Sequence, residues 1–464
     1  MADIKKIFSN QKVFEAFVTS VLRQKAAEQG NVINFDAPLE EEAKNDSSAI
    51  KYYDAIAPEG FGDLIGPIIF EFKYSTQAEI LPLDLAQLEK NFRCINKNHK
   101  ASQDRIPNAT FILISSRYYT NTDINRLWNV HGFPAYVWDG YVVESWCKEY
   151  PVNYSNAIGI EKLTSKFFDA DINDSDFLEK SNSNIKILKD IITTDPKFAL
   201  VLGAGISVGP GALLWDDLLA EMQQDLTTKK IIDNSSQVCK KVGDSSLITA
   251  QLCRDLYKEE ISFCWAIHKG LYKNRKPTNA SFSIYEIARL INNCKNKRHF
   301  RVLTYNFDDY LEEYLREQAV DHNILYTETS PIDDRVSIYH VHGFLPCVKT
   351  QKEMHARYMK SIFLTEENYN DLYNHPYSWQ ISSQLSFFRE NICLFVGCSL
   401  ADPNLRRLLE MTKTEGKTHF AIMRNDLATI KDLTVATSHF ARLGVEVIWV
   451  NSFDEITAVL HSLQ

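Results

Sequence analysis

The chain has 464 residues, of which 45% are hydrophobic, 12% aromatic and 24% charged, and its formal net charge is −9. This length exceeds what one hydrophobic core usually organises, so we expect two or three domains. The acidic balance argues against a protein that is basic over its whole surface, as nonspecific nucleic-acid binders are, but it is compatible with a local basic groove.

The sequence also points to a cytoplasmic protein. We find no run of about 18 apolar residues that could span a bilayer, and the N-terminal stretch MADIKKIFSNQ lacks the apolar core of a signal peptide. The nine cysteines are scattered and never form a C-x-x-C pair. Neither a disulfide framework nor a zinc knuckle is therefore expected.

The first elements predicted along the chain are a helix and a β-hairpin. Residues 11–28 carry apolar side chains at helical spacing, with Glu15 on a flank of the apolar stripe. Residues 50–56 and 68–73 are typical of two strands, because each contains a short apolar run and the sequence PEGFGD between them has the proline and glycines of a turn.

Polar side chains of this hairpin are predicted to meet on one face. Side chains alternate along a strand, so Glu71 and Lys73 share a face, and Asp63 at the start of the hairpin's second half can reach it. Two carboxylates and a lysine suit metal-assisted phosphodiester hydrolysis, because the acids hold Mg²⁺ and the ammonium steadies the attacking water. Acid and lysine residues also occur together on ordinary solvated strand faces.

The order of elements around this pattern resembles the PD-(D/E)xK restriction-endonuclease-like fold, particularly its Mrr-like branch. A further helix is predicted over residues 83–92 and a strand over residues 109–115, and GFGD, E-x-K and a glutamine on the next helix recur in that branch. The resemblance implies five functional residues, namely the metal ligands Asp63 and Glu71, the catalytic Lys73, the auxiliary acid Glu15 and the orienting Gln87. Folds of this class also occur as inactive DNA-binding modules.

These elements place a nuclease-like α/β domain over residues 1–150. Residues 151–184 turn polar and are dense in Asp, Asn and Ser near their end, which predicts a linker. A second domain is expected over residues 185–464, beginning with a short helix at residues 185–193.

A glycine-rich turn follows the first predicted strand of this second domain. Residues 198–211 read FALVLGAGISVGPG, an apolar run that ends in Gly203, Ala204 and Gly205, and a helix is predicted from Trp215. Glycines there let backbone N–H groups approach a pyrophosphate closely and permit a positive φ. On its own, such a turn is equally typical of an ordinary tight loop.

Further apolar runs alternate with helical stretches, which predicts a parallel, doubly wound sheet with ligands at the carboxyl ends of its strands. The predicted strands cover residues 300–305, 337–341, 392–396, 418–423 and 445–450. Polar residues collect just after several of these runs, and a helical insertion is predicted over about residues 227–299. Asp402 is expected to N-cap a helix, because Pro403 follows it.

The blocks GAGIS, TYNFD, HVHG and FVGCSLADPNLRRLL occur in this order and resemble the signature blocks of the sirtuin-like NAD-binding fold over residues 185–464. Typical sirtuins continue after the glycine turn with SGIPDFR, whereas this chain has VGPGALLWDDLL, and it lacks the paired cysteines of their zinc module. These departures are closer to bacterial sirtuin-like proteins of anti-phage defence, which hydrolyse NAD.

The resemblance implies an NAD pocket built from several groups of residues. Its pyrophosphate cradle would comprise Gly203, Ala204, Gly205 and Ser207. The nicotinamide-ribose end would be lined by Thr304, Asn306 and Asp308, and the adenosine end by Gly397, Ser399 and Asn451. Asn306 would position a water or a ribose hydroxyl, and His342 suits a general base because the pKa of imidazole is ordinarily about 6.5.

Together, the two resemblances predict a defence effector that hydrolyses NAD to nicotinamide and ADP-ribose and is coupled to a Mg²⁺-dependent DNA nuclease domain. Two alternatives stay open. The sirtuin-like domain could bind NAD only as a sensor that gates DNA cleavage, or an inactive N-terminal domain could report DNA to the NAD hydrolase. The resemblance further implies a homo-oligomer, which could assemble with a partner ATPase or another defence protein, and DNA as a partner of the N-terminal domain. The scattered cysteines and the lack of a long apolar run lead us to expect neither zinc nor a membrane.

Overall fold

The computed structural model describes most of the chain in two compact units. The first unit is Met1–Ser165 with Glu317–Ala319, and the second is Lys166–Arg316 with Val320–Gln464. The described residues are 7–8, 10–38, 52–74, 110–119, 135–151, 153–154, 157–159, 176–194, 197–233, 238, 241–242, 245–276, 281–293, 300–317, 320–329, 335–414, 416–427 and 429–463.

The first unit is organised around a five-stranded mixed sheet. Its strands, in spatial order, are β1 (Asn34–Pro38), β2 (Tyr52–Ala57), β5 (Ile68–Lys73), β6 (Thr110–Ser115) and β7 (Ala135–Trp138). The pairs β1–β2 and β2–β5 are antiparallel, and the pairs β5–β6 and β6–β7 are parallel. A small hairpin of β3 (Gly60–Phe61) and β4 (Leu64–Ile65) lies within the connection from β2 to β5.

The described helices of this unit include α1 (Gln11–Gln29) and α2 (Gly140–Glu149). Helix α1 begins after Asn10, whose side chain accepts a hydrogen bond from Val13 N at 3.1 Å. Its buried Phe14 and Phe17 belong to the same hydrophobic cluster as Phe70 of β5. The predicted first helix and hairpin are confirmed within two residues at their ends, whereas the helix predicted over residues 83–92, with Gln87, lies outside the described residues.

The second unit contains a seven-stranded sheet in which every pair of neighbours is parallel. Its strands are β8 (Phe198–Leu202), β9 (Arg301–Thr304), β10 (His322–Leu325), β11 (Val336–His340), β12 (Ile392–Val396), β13 (His419–Arg424) and β14 (Val445–Val450). Their spatial order is β10-β11-β9-β8-β12-β13-β14. The chain therefore adds β9, β10 and β11 on one side of β8 and then β12, β13 and β14 on the other, and the switch point of this sheet lies between β8 and β12.

Helices surround this sheet. They are α3 (Asp176–Thr194), α4 (Trp215–Thr228), α5 (Ser246–Tyr257), α6 (Glu260–Tyr272), α7 (Phe282–Asn293), α8 (Tyr310–Glu317), α9 (Ala356–Met359), α10 (Glu366–Asn374), α11 (Trp379–Glu390), α12 (Pro403–Thr412), α13 (Ile430–Arg442) and α14 (Phe453–Ser462). Alternate residues of β8 join two different hydrophobic clusters, Leu200 and Leu202 one and Ala199 and Val201 the other. The predicted α/β class, with a Rossmann-like parallel sheet covered on both faces, is confirmed.

The linker predicted over residues 151–184 is partly wrong, because helix α3 begins at Asp176 and not at residue 185. Its polar residues are buried against the edge strand β14: Ser181 Oγ accepts from Trp449 N at 3.1 Å, and Asn184 Nδ2 donates to Val447 O at 3.3 Å. An edge strand has unpaired backbone groups, and these side chains satisfy two of them. Polar composition was therefore a misleading indication of a loop. Across the described residues, no helix is long and apolar enough to cross a membrane.

Candidate functional site

The glycine turn after β8 packs directly on the turn after β12. Gly203 N donates to Val396 O at 3.0 Å, and Gly205 N donates to Gly397 O at 3.1 Å. A Cβ on Gly203 would lie 2.5 Å from Gly397 O, and one on Gly205 would lie 2.8 Å from Gly397 Cα. The glycines thus allow two turns at the switch point to touch, and the N–H groups of Gly203 and Gly205 are engaged in that contact.

Gly397 is the most constrained residue of this contact, because its φ is +69° and a Cβ would lie 2.7 Å from Ile206 N. We expect Gly397→Ala to lower the free energy of unfolding by about 3 kcal/mol, the combined cost of an unfavourable φ and of overpacking. Chemical denaturation would measure this loss.

Gly416→Ala is the matched control, because Gly416 has a φ of +79° with open space around the added Cβ. It should cost only about 1 kcal/mol, from the backbone conformation alone. Equal losses for the two variants would show that the close approach of the turns contributes nothing to stability.

Asn306 lies two residues beyond β9, and several of its polar atoms form hydrogen bonds. Its backbone N–H donates to Thr304 Oγ1 at 3.0 Å, and its side-chain Nδ2 donates to Gly203 O at 3.1 Å and to Ser207 Oγ at 3.0 Å. Its Oδ1 is buried and has no hydrogen-bond partner among the described residues. A buried acceptor without a partner costs free energy, so Oδ1 is the atom that a bound hydroxyl or water would satisfy.

Asp308 is buried beneath the glycine turn. Ser207 Oγ donates to Asp308 Oδ1 at 3.0 Å, and both side chains are buried, as is Thr304. Burial raises the pKa of Asp308 to about 7, although the hydrogen bond from Ser207 opposes the rise. The Ser207 and Asp308 side chains therefore tie the turns after β8 and β9 together.

His342, two residues beyond β11, lies between aromatic rings. The ring centroids of Tyr305 and Tyr369 are 4.8 Å and 5.9 Å from the imidazole, both in edge-on geometry. Burial lowers the pKa of His342, and the nearby Asp402 carboxylate opposes that change. The imidazole is consequently neutral at pH 7 and available to accept a proton.

His342 and Asn306 lie at the same edge of the sheet. Strands β9 and β11 are parallel neighbours in which Thr304 pairs with His340. Asn306 and His342 each lie two residues beyond this pair. Both are therefore at the carboxyl ends of adjacent parallel strands.

The residues predicted for the adenosine end are more dispersed. Gly397 lies in the turn that contacts the glycine turn, whereas Ser399 and Asn451 are exposed. Asn451 follows the edge strand β14, and its N–H donates to Glu455 Oε2 at 2.7 Å at the start of α14. Asp402 N-caps α12 as predicted, since its Oδ1 accepts from Asn404 N at 2.8 Å.

The first unit contains a separate cluster of charged side chains on β2 and β5. Ala55 pairs with Phe70, so the antiparallel register continues to Asp54 opposite Glu71. Lys73 Nζ donates to Glu71 Oε1 at 2.8 Å, and Phe72 N donates to Asp54 Oδ2 at 2.5 Å.

Three carboxylates, those of Asp54, Glu71 and Glu15, contribute to the electrostatics of this cluster. Burial, followed by the charge of Glu71, raises the pKa of Asp54 to about 7, and Glu15 of α1 adds to the rise. Burial lowers the pKa of Lys73, but Glu71, Asp54 and Glu15 together raise it above its ordinary value. The predicted Glu15, Glu71 and Lys73 are therefore neighbours, joined by Asp54, which the sequence analysis missed.

Asp63 does not belong to this cluster. It is exposed on the turn between β3 and β4, next to Gly62, whose N–H donates to Gln29 Oε1 at 3.0 Å. Gln29 is the last residue of α1, and the helix rise separates it from Glu15 by about 21 Å. The strand register, which sequence spacing does not specify, places Asp54 and not Asp63 opposite Glu71.

The cluster supplies few metal ligands. Among the residues that the structure describes, no group of three or more His, Cys, Asp or Glu side chains is arranged to hold a metal ion. Asp54 and Glu71 nevertheless place two carboxylates on one face of a sheet. After burial, the charge of Glu71 is the next largest cause of the raised pKa of Asp54, and a divalent cation would relieve this repulsion.

Comparisons with known proteins found a curated relative, a solved structure and a family match. A curated relative, "NAD(+) hydrolase ThsA" from Enterococcus faecium, is 23% identical over 297 residues, which cover 57% of this chain and 55% of the relative. The chain therefore matches only about half the length of that protein. A solved structure described as "Structural Basis for the Mechanism and Regulation of Sir2 Enzymes" is 15% identical and covers 60% of this chain and 96% of its own, with a TM-score of 0.30.

A family match covers the part of the chain that carries both Asn306 and His342. Residues 301–448 match the family described as SIR2-like domain. This span begins with β9 and ends within β14, and it includes the TYNFD, HVHG and GCSL blocks but not the glycine turn. The sheet from β9 to β14 is thus similar to SIR2-like domains.

Proposed function

We propose that the second unit hydrolyses NAD to nicotinamide and ADP-ribose and acts in defence against phage. The observation that carries the proposal is the buried Oδ1 of Asn306, which has no partner among the described residues. It lies beside the glycine turn, and Asn306 and His342 follow the carboxyl ends of the adjacent strands β9 and β11. The match to SIR2-like domains and the similarity to a protein named NAD(+) hydrolase support it.

In the proposed reaction, the bond between C1′ of the ribose and the nicotinamide nitrogen breaks, and nicotinamide leaves with the bonding electrons. A water oxygen forms the new bond to C1′, and its proton passes to the neutral imidazole of His342. Asn306 Oδ1 accepts a hydrogen bond from this water or from a ribose hydroxyl and so orients the reacting groups. The charges balance, because NAD carries its positive charge on the nicotinamide ring that departs neutral.

We further propose that the first unit is a Mg²⁺-dependent DNA nuclease, and the cluster of Asp54, Glu71, Lys73 and Glu15 is the specific observation that favours it. Asp54 and Glu71 would hold the ion through carboxylate oxygens. Bound there, Mg²⁺ would polarise a scissile phosphate and lower the pKa of a water. The Lys73 ammonium would stabilise developing negative charge.

Two alternatives share these sites. The second unit could bind NAD without hydrolysing it and thereby gate DNA cleavage, or the first unit could sense DNA without cutting it. A homo-oligomer, assembly with a partner ATPase and a cytoplasmic location are part of the leading proposal.

The deciding experiment incubates the full chain with NAD and Mg²⁺, with and without DNA, and follows nicotinamide and ADP-ribose by chromatography. We expect both products in equal amounts, with faster release in the presence of DNA. Tight NAD binding without nicotinamide release under any of these conditions would favour the sensor alternative.

A further inference from the structure

We propose that His340 is a positioning residue of the NAD site. By donating hydrogen bonds from both ring nitrogens, His340 connects the main-chain carbonyl of Asn306 to the side chain of Glu312 on α8. The inference rests on the proposed NAD hydrolysis. His340 is the first histidine of the HVHG block, and it ends β11, two residues before His342.

The contacts of His340 define a buried clamp. Its Nδ1 lies 3.0 Å from Asn306 O, and its Nε2 lies 2.6 Å from Glu312 Oε1. The side chains of His340 and Glu312 are each only 1% exposed. The Phe344 ring packs edge-on against the imidazole at 4.6 Å between centroids, so protein groups surround the pair.

The two hydrogen bonds determine where the protons lie. A main-chain carbonyl only accepts hydrogen bonds, so Nδ1 must carry a proton, and a carboxylate likewise accepts from Nε2. Burial alone would lower the pKa of His340, but the Glu312 carboxylate, the Asn306 carbonyl and the Asp308 carboxylate together raise it. As the donor in both hydrogen bonds of the proposed clamp, His340 carries a proton on each ring nitrogen, with Glu312 as its counterion.

This clamp completes the fixation of Asn306. The backbone N–H of Asn306 is held by Thr304, its Nδ2 by Gly203 and Ser207, and its carbonyl by His340. Because every other polar atom of Asn306 is hydrogen-bonded, the orientation of its side chain is fixed. Oδ1 is thereby directed at the reaction site. Both nitrogens of His340 are occupied, so it acts through Asn306 and does not touch the substrate.

We expect His340→Gln to lower kcat for nicotinamide release about 100-fold, because a small misplacement of a reacting group has an effect of that order. KM for NAD should change less than about threefold, since the substrate contacts are untouched and only the geometry of the reacting groups changes. Glu312→Leu leaves Nε2 of the imidazole without its partner and should give a similar loss of kcat.

Glu312→Gln is the conservative variant. Its amide oxygen still accepts from Nε2 while the carbonyl of Asn306 keeps its bond to Nδ1, so kcat should stay within about tenfold of wild type. A kcat for Glu312→Gln as low as that of Glu312→Leu would contradict the clamp, and so would an unchanged kcat in His340→Gln.

A second histidine–glutamate pair, in which only the glutamate is fully buried, provides the control for stability. His461 Nδ1 of α14 lies 3.0 Å from Glu286 Oε1 of α7, and the Glu286 side chain is 1% exposed. His461→Gln and Glu286→Gln should lower the melting temperature as the clamp variants do, while kcat per folded molecule stays unchanged. An equal loss of kcat in both sets would mean that His340 acts only through stability.

An activity-independent readout separates this inference from the proposed function. In histidine labelled with nitrogen-15, at about pH 8 where an ordinary imidazole is neutral, the wild type should show an imidazole protonated at both nitrogens. This signal should vanish in His340→Gln, and its absence from wild type would overturn the inference. Wild type that releases no nicotinamide would instead overturn the proposed NAD hydrolysis.

Discussion

Asn306→Ala is expected to lower kcat for nicotinamide release by about 10³-fold, the effect of removing a preorganised polar group from a reacting centre. The variant loses Oδ1, the buried acceptor that has no partner among the described residues, and with it the group that orients the attacking water. Nicotinamide release, followed by chromatography under the conditions that activate wild type, gives the measurement.

The same variant also loses the bonds from Nδ2 to Gly203 O and Ser207 Oγ, so some destabilisation, of about 1 to 3 kcal/mol, should accompany the loss of turnover. Asn391→Ala is a matched control: Asn391 is buried, its Nδ2 donates to Phe387 O at 2.8 Å, and it precedes β12 at the opposite end of the strands. Turnover by Asn306→Ala at the level of Asn391→Ala would reject our site assignment.

Asp54→Asn in the first unit is expected to reduce Mg²⁺-dependent DNA cleavage by about 10³-fold, because a metal site that loses one of two carboxylates loses several kcal/mol of charge stabilisation. The carboxylate of Asp54 lies across the hairpin from Glu71, and burial, followed by the charge of Glu71, raises its pKa to about 7. Cleavage of plasmid DNA over a range of Mg²⁺ concentrations, followed on gels, would measure the effect.

Asp63→Asn is the discriminating control, because Asp63 is exposed on the turn between β3 and β4. It should cut DNA as wild type does, whereas Lys73→Ala should be impaired like Asp54→Asn. Normal cleavage by Asp54→Asn together with impaired cleavage by Asp63→Asn would instead support Asp63 as the metal ligand, as the sequence spacing predicts. Failure of wild type to cut any DNA would favour a DNA-sensing first unit.

Much of the second unit could be read from local patterns. The strand predicted over residues 445–450 coincides with β14, and Asp402 caps α12 as its position before Pro403 indicates. Both features depend on neighbouring residues only, since a buried strand needs an apolar run and a cap needs one side chain near its own helix.

Features that depend on distant partners were harder to predict. The polar Ser181 and Asn184 indicated a linker, yet they bind the backbone of β14, which lies far along the chain. The role of His340 was not predicted, because its hydrogen-bond partners, Asn306 and Glu312 of α8, lie far from it in the sequence. Tyr369, which packs against His342, comes from α10 and carries no local signal of that role.

The sequence by itself determined the alternation of strands and helices, the glycine turn after β8 and the collection of polar residues at the ends of parallel strands, because apolar periodicity and turn chemistry are local. Only the tertiary structure decided that Asp54, and not the exposed Asp63, lies opposite Glu71. It also showed that Oδ1 of Asn306 has no partner among the described residues, whereas the other polar atoms of Asn306 are hydrogen-bonded. Strand register and burial bring together residues that are distant in sequence, and no spacing along the chain specifies them.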